Sequence, residues 1–214
     1  MKKLIIPILM LLLTVSAQAQ IPQEVIDVLT KCSQKMDNPA GVQCDMKASA
    51  GISFVKVNVN LTLYSKGEKS FEKTSMKILG KEIKAESGFD GVQEWEYQPK
   101  IKKDDKDTLT ITKRVKKSKG EYDIDFDLHK DYKTAKMQVK NGFYVITFTN
   151  PKDKEAPKKT VMKINKDNYV FQELSASDSG VTMKVTLIKM KIGVPDSVFK
   201  FDPKRYPNAV IVRK

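Results

Sequence analysis

The chain has 214 residues and a formal net charge of +13, a length that fits one domain. Its basic residues are lysines apart from Arg114, Arg205 and Arg213. Scattered lysines make a diffuse positive field rather than the planar two-pronged readout that arginine gives to bases, so nucleic acid is not an expected partner. The single histidine, His129, excludes a His-rich metal site and a Ser-His-Asp triad.

Residues 1–19 read as a secretory signal: Lys2 and Lys3, an apolar run from Leu4 to Val15, and the small-residue site Ala17-Gln18-Ala19. The run is short for a membrane span, and residue 20 is glutamine, which offers no thiol for a lipid anchor. The expectation is an exported, soluble chain of residues 20–214 forming a single domain, with a charge of +11 once the two lysines are removed. Ile21, Val25, Val28, Leu29, Cys32 and Met36 then fall on one stripe of an amphipathic helix. Pro22 suits its first turn, and Asn38-Pro39-Ala40-Gly41 ends it. Export permits a disulfide, and Cys32 with Cys44 is the only pair available; the alternative is two separate buried thiols.

Beyond Gly41 the period changes from helix to strand. Val55, Val57, Val59, Leu61 and Leu63 alternate with Lys56, Asn58, Asn60, Thr62 and Tyr64, predicting a strand apolar on one face and wet on the other. A hairpin is expected near Gly80-Lys81. "FDGVQEWEYQP" (89–99) follows, with Trp95 and Tyr97 on one face and Glu94 and Glu96 on the other. "DTLTITKRV", "YDIDFDLH", the two arms around Asn141-Gly142, "KTVMKIN", "YVFQEL" and "GVTMKVTLIKMKI" continue the pattern. Asn-Gly is a strong hairpin signal. "SVFKFDP" reads as a last short strand before the tail "RYPNAVIVRK", and residues 102–107 as a loop.

The fold class is therefore mainly β, with ten or eleven antiparallel strands and one helix. So many one-sided strands make a large apolar face, which must curl, pack or be covered. One helix does not cover it all, so either the sheet fills its own interior or a cavity remains. Read alone, Trp95 and Tyr97 are core aromatics; the shortage of helix turns the reading toward a cavity wall.

Other candidates have plain readings. Asp123, Asp125 and Asp127 share one strand face but stand about 7 Å apart at successive positions, too spread for one small cation. No metal site follows, and no cofactor is implied. Lys113, Arg114, Lys116, Lys117 and Lys119 fit a solvated hairpin tip or a dock for an anionic partner. Asn60-Leu61-Thr62 has the form of a glycosylation acceptor but lies within a strand. No phosphate-binding glycine loop, nucleophile elbow or defined carboxylate pair is present, so the chain does not read as an enzyme and no catalytic residue is assigned.

The signal, the helix, the run of strands, the central Asp90-Gly91, Trp95, Tyr97 and Pro99, and the closing "FKFDPKRYPNAVIV" together resemble the LolA family of periplasmic lipoprotein carriers. The resemblance implies an unclosed half-barrel with the N-terminal helix over its concave face. It further implies a periplasmic, monomeric carrier that holds acyl chains of lipoproteins or other lipid between an inner-membrane exporter and an outer-membrane acceptor. Cavity candidates on this reading are Val57, Val59, Leu61, Leu63, Trp95, Tyr97, Ile124 and Phe126, with Glu94 and Glu96 facing water. Val25, Val28, Leu29 and Met36 form the lid helix. The alternative is a LolA-like sensor module that binds an envelope protein. The sequence departs from the family in two ways: the early strands lack the family's lid-binding arginine, with Lys66 nearest by position, and residues 100–120 are charged and strand-like where the family inserts lid helices.

Overall fold

A computed structural model describes residues 21–52, 55–78, 80–101, 105–113 and 127–214. Helix α1 (Gln23–Met36) buries Val25, Val28, Leu29 and Cys32, the stripe that a 3.6-residue period places on one side. It ends where the Asp37 amide donates to the Ser33 carbonyl and where Gly41 takes a positive φ of 83°, a conformation that costs glycine little.

Among the described residues twelve strands follow: β1 (Val42–Ile52), β2 (Val55–Lys66), β3 (Lys69–Ile78), β4 (Lys81–Phe89), β5 (Gln93–Gln98), β6 (Thr108–Lys113), β7 (Tyr132–Lys140), β8 (Phe143–Pro151), β9 (Lys159–Asn165), β10 (Phe171–Asp178), β11 (Val181–Ile192) and β12 (Val210–Arg213). They form one open sheet in the order β12-β6-β5-β4-β3-β2-β1-β11-β10-β9-β8-β7. All neighbours are antiparallel except β12, which runs parallel to β6. The β7–β8 hairpin turns on Asn141 and Gly142 with φ of 51° and 78°, the primed geometry that fits twisted strands. The sheet is a half-barrel, not closed on itself, and α1 lies over its concave face.

Register sorts the side chains, because directly opposed residues share a face. Cys44, Met46, Ala48 and Ala50 stand opposite Leu63, Leu61, Val59 and Val57 on β2. The first two of each set pack with α1, so all lie on the helix-bearing face. The opposite face is traced by the row Gln43, Tyr64, Phe71, Gly88, Trp95 and Ile111, each residue opposite the next. Tyr97 and Leu109 follow Trp95 and Ile111 on that face. The chain therefore has two cores on opposite faces of one sheet. The first joins α1 to Cys44, Met46, Leu187, Ile146, Phe148, Met162 and Ile164. The second joins Phe71, Trp95, Leu109 and Ile111 to Val194, Phe199 and Tyr206 of a C-terminal strap, residues 193–209.

Several expectations are corrected here. Trp95 and Tyr97 do not face the concavity: the strap covers them on the convex face, where Trp95 is 1% exposed. Glu94 does not face water; it stands opposite Phe89 and is buried on the concave side, while Glu96 is exposed. Tyr64 is not on a wet face, since its ring stacks on Phe71 at 5.8 Å. "SVFKFDP" forms no strand. It makes a 3-10 turn, Asp196–Phe199, that seats buried Phe199 in the second core, and a further 3-10 turn spans Pro203–Arg205. Cys32 and Cys44 are both free, buried thiols, and burial pushes each up to about 12. Residues 1–20, Arg114 to Asp125, and the cavity candidates Ile124 and Phe126 lie outside the described residues. Asp127 is part-buried and Leu128 opens a 3-10 turn, Leu128–Lys130, rather than ending a strand.

Candidate functional site

The lid residues Val25, Val28 and Leu29 are buried, while Met36 at the end of α1 is only partly so. On β2 the four predicted residues divide. Leu61 and Leu63 pack against the α1 core, whereas Val59 is part-exposed and Val57 is 44% exposed. The division has a simple cause: a helix of fourteen residues is about 21 Å long, and the twelve-stranded sheet is more than twice as wide at about 4.8 Å per strand.

Beyond α1 the apolar floor extends to both sides of β1, partly covered at Val185 and Leu174, which pack against the α1 core. Val57 and Met183 flank Ala50, and Val59 and Val185 flank Ala48, in the same rows. Met76 and Ile83 continue the Val59 row across β3 and β4, and Leu174 continues it on β10. Met183 is 48% and Val181 41% exposed. From β4 to β10 this floor crosses six strands, about 24 Å at the usual strand spacing. Half the hydrocarbon thickness of a bilayer, the depth one acyl chain occupies, is about 15 Å. The floor carries no ionisable side chain between Ile83 and Leu174 along its central row. Lone apolar side chains on a surface are ordinary, but a contiguous apolar tract is not.

Of the residues proposed from sequence, the structure thus brings together Val57, Val59, Leu61 and Leu63, and separates them from Trp95 and Tyr97 by the thickness of the sheet. It adds Met76, Ile83, Leu174, Val181, Met183 and Val185. Their strands were legible from alternation, but the β1–β11 pairing that brings Met183 beside Ala50 joins distant parts of the chain and leaves no local signal.

The convex face is a closed unit. Trp95 lies 5.1 Å from Phe201 and Tyr97 stacks on Tyr206 at 4.7 Å, centroid to centroid. Gly88 leaves the space for Trp95, since a Cβ there would meet the indole at 2.5 Å. Glu86 Oε2 accepts from Arg205 Nη2 and from the Tyr206 hydroxyl, each at 2.7 Å; burial and this carboxylate raise the Tyr206 hydroxyl above its ordinary range. The Tyr97 hydroxyl donates to Asp107 at 3.0 Å. Among the described residues no group of three or more metal-ligating side chains is assembled.

No protein-family model matches the chain, and no curated protein matches it. Solved structures do. An uncharacterised conserved protein from Thermus thermophilus matches with a TM-score of 0.52 at 12% identity, over 90% of this chain and 98% of that one. The MucA/MucB complex from Pseudomonas aeruginosa matches with a TM-score of 0.50 at 7% identity, over 85% of this chain and 62% of that one. The LolA superfamily protein NE2245 from Nitrosomonas europaea matches with a TM-score of 0.40 at 13% identity, over 83% and 98%. At these identities the likeness to the first two structures is one of fold alone. Lys66, the residue nearest by position to the expected lid-binding arginine, takes a different part. Its Nζ donates to the Val194 carbonyl at 3.3 Å and pairs with Asp196 at 3.3 Å, so it anchors the strap on the convex side rather than α1.

Proposed function

We propose that the protein is an extracytoplasmic lipid carrier that holds acyl chains, of lipoproteins or of other lipids, on the open apolar floor beside α1. The observation that carries this reading is the run of exposed aliphatic side chains at Val57, Val181 and Met183 on the helix-bearing face. Each is about half exposed, so covering it with hydrocarbon yields on the order of 1 kcal/mol. Ligand methylenes leaving water contribute about 0.8 kcal/mol each. A floor open on one side encloses only part of a chain, which keeps release feasible, whereas complete enclosure of several chains would hold cargo nearly irreversibly. The open half-barrel agrees with this reading. Residues 1–19 supply the export signal, and residues 20–214 act as one domain. An inner-membrane donor and an outer-membrane acceptor are the partners such a carrier requires. No catalytic role is proposed.

The test is uptake of a fluorescent fatty-acid probe by delipidated protein, together with native mass spectrometry for co-purifying lipid. Saturable binding that is lost in Val57→Asp with Met183→Asp supports the reading. A folded protein that takes up no acyl ligand, yet retains a stoichiometric envelope protein, would replace it with the sensor-module reading.

A further inference from the structure

Away from the floor, a cleft of about 1100 Å³ opens between the start of α1 and the ends of β7 and β8. Its lining includes residues of two chemical kinds: Ile21, Ile26 and Tyr132 are apolar or aromatic, and Lys133, Lys152 and His129 are basic. Among the described residues no carboxylate lines it. Some lysines elsewhere are held by acids: Lys66 and Lys69 by Asp196, Lys163 and Lys184 by Glu173, Lys158 by Asp178. Lys133 and Lys152 pair with none among the described residues. The Nδ1 atom of His129 is buried and meets no hydrogen-bond partner among the described residues. A buried polar atom without a partner is costly and needs an explanation.

The walls are fixed rather than incidental. The Tyr132 hydroxyl is held by the Pro157 carbonyl at 2.9 Å and Thr160 Oγ1 at 2.6 Å, so its ring stays in place as one wall. The Lys152 amide donates to the Asp131 carbonyl at 2.8 Å, which brings the ends of β7 and β8 to the same side of the cleft.

We propose that this cleft binds a phosphate-type anion carrying a small apolar substituent, with Lys133, Lys152 and the His129 imidazole around the anion and Ile21, Ile26 and Tyr132 against the substituent. Three nitrogen-bearing groups in the lining of one cleft, with no acidic partner among the described residues, suit a compact oxyanion that accepts several hydrogen bonds. The apolar part of the lining selects against a bare, fully hydrated ion. A phospholipid headgroup region and a free organic phosphate share this chemistry. The site is separate from the aliphatic floor and does not depend on acyl carriage there.

The full chain is titrated with inorganic phosphate, with butyl phosphate and with dihexanoyl phosphatidate below its micelle concentration, following amide NMR shifts at low and at physiological salt. Lys133→Gln with Lys152→Gln is compared with Lys189→Gln, an exposed lysine elsewhere, and thermal midpoints check that each variant is folded. The expected result is that butyl phosphate or phosphatidate binds at least tenfold more tightly than inorganic phosphate, shifts the amides of residues 21–26 and 129–134, and loses at least tenfold in the double variant alone. Preference for phosphatidate points to a lipid source, and equal binding of butyl phosphate to a free organic phosphate. Equal weak binding of all three ligands, or affinity unchanged in the double variant, overturns the proposal. Neither outcome bears on fatty-acid uptake at the floor, which the Val57 and Met183 variants read independently.

Discussion

The two faces of the sheet differ in how completely they are covered. On the convex side, the strap, Trp95, Phe71, Phe201 and Tyr206 interlock, with Trp95 and Phe199 at 1% exposure. On the concave side, α1 seals only its own footprint and leaves Val57, Val181 and Met183 between 41% and 48% exposed. The aromatic residues that look most like a binding surface serve as structure, and the plainer aliphatic residues are left open. Ring size and hydrophobicity thus do not mark the open surface; the mismatch between the area of the sheet and the length of its cover does.

The contrast can be broken most forcefully at Trp95. Trp95→Ala removes the centre of the convex core and should cost about 3–5 kcal/mol in urea unfolding, while any folded fraction keeps its affinity for a fatty-acid probe. Gly88→Ala forces a Cβ against the indole and should cost about 1–3 kcal/mol by overpacking, again with probe binding unchanged. Loss of probe binding in step with stability in both variants would show that the two faces act as one unit. On the other side, Val57→Asp with Met183→Asp should lower probe affinity tenfold or more, about 1.4 kcal/mol, with unfolding shifted by no more than about 0.5 kcal/mol per site because both side chains are exposed.

A further effect concerns pH. Cys32 and Cys44 titrate near 9.0 when free in solution and are pushed up to about 12 by burial in the α1 core. The folded state therefore prefers the neutral thiol. Its stabilising contribution is complete below pH 9 and is lost as pH rises from 9 toward 12. Unfolding midpoints should fall from pH 8.5 to pH 10.5, and fall less in Cys32→Ala. Native protein at pH 8 should also resist thiol alkylation until it is unfolded, since buried thiols at that pH carry little thiolate. Rapid alkylation of the folded protein would contradict the sealed character of that core.

Much of this was legible in the chain. The α1 stripe from Val25 to Cys32 and the alternation of β2 follow from periodicity, and Asn141-Gly142 announces its own hairpin. Face assignment was not legible for Trp95. Alternation says that Trp95 and Glu94 point apart, but only pairing through Gly88 and Phe71 to Tyr64 decides which face carries the helix. The strap was missed for a related reason. Phe199 and Phe201 alternate like a strand, yet Pro195 and Pro203 cannot donate to a ladder, and the segment serves better as a row of plugs for the convex face. The single parallel pair, β12 on β6, is set by where the strap delivers the chain, a property of the whole fold.

The central claim, that the open floor beside α1 holds acyl chains, is tested most directly by photo-crosslinking with a diazirine-bearing fatty acid and locating the adducts by peptide mass spectrometry. Adducts are predicted on residues 55–63 and 174–185, displaced by unlabelled fatty acid. Adducts confined to residues 193–206, or none in folded protein, would contradict it.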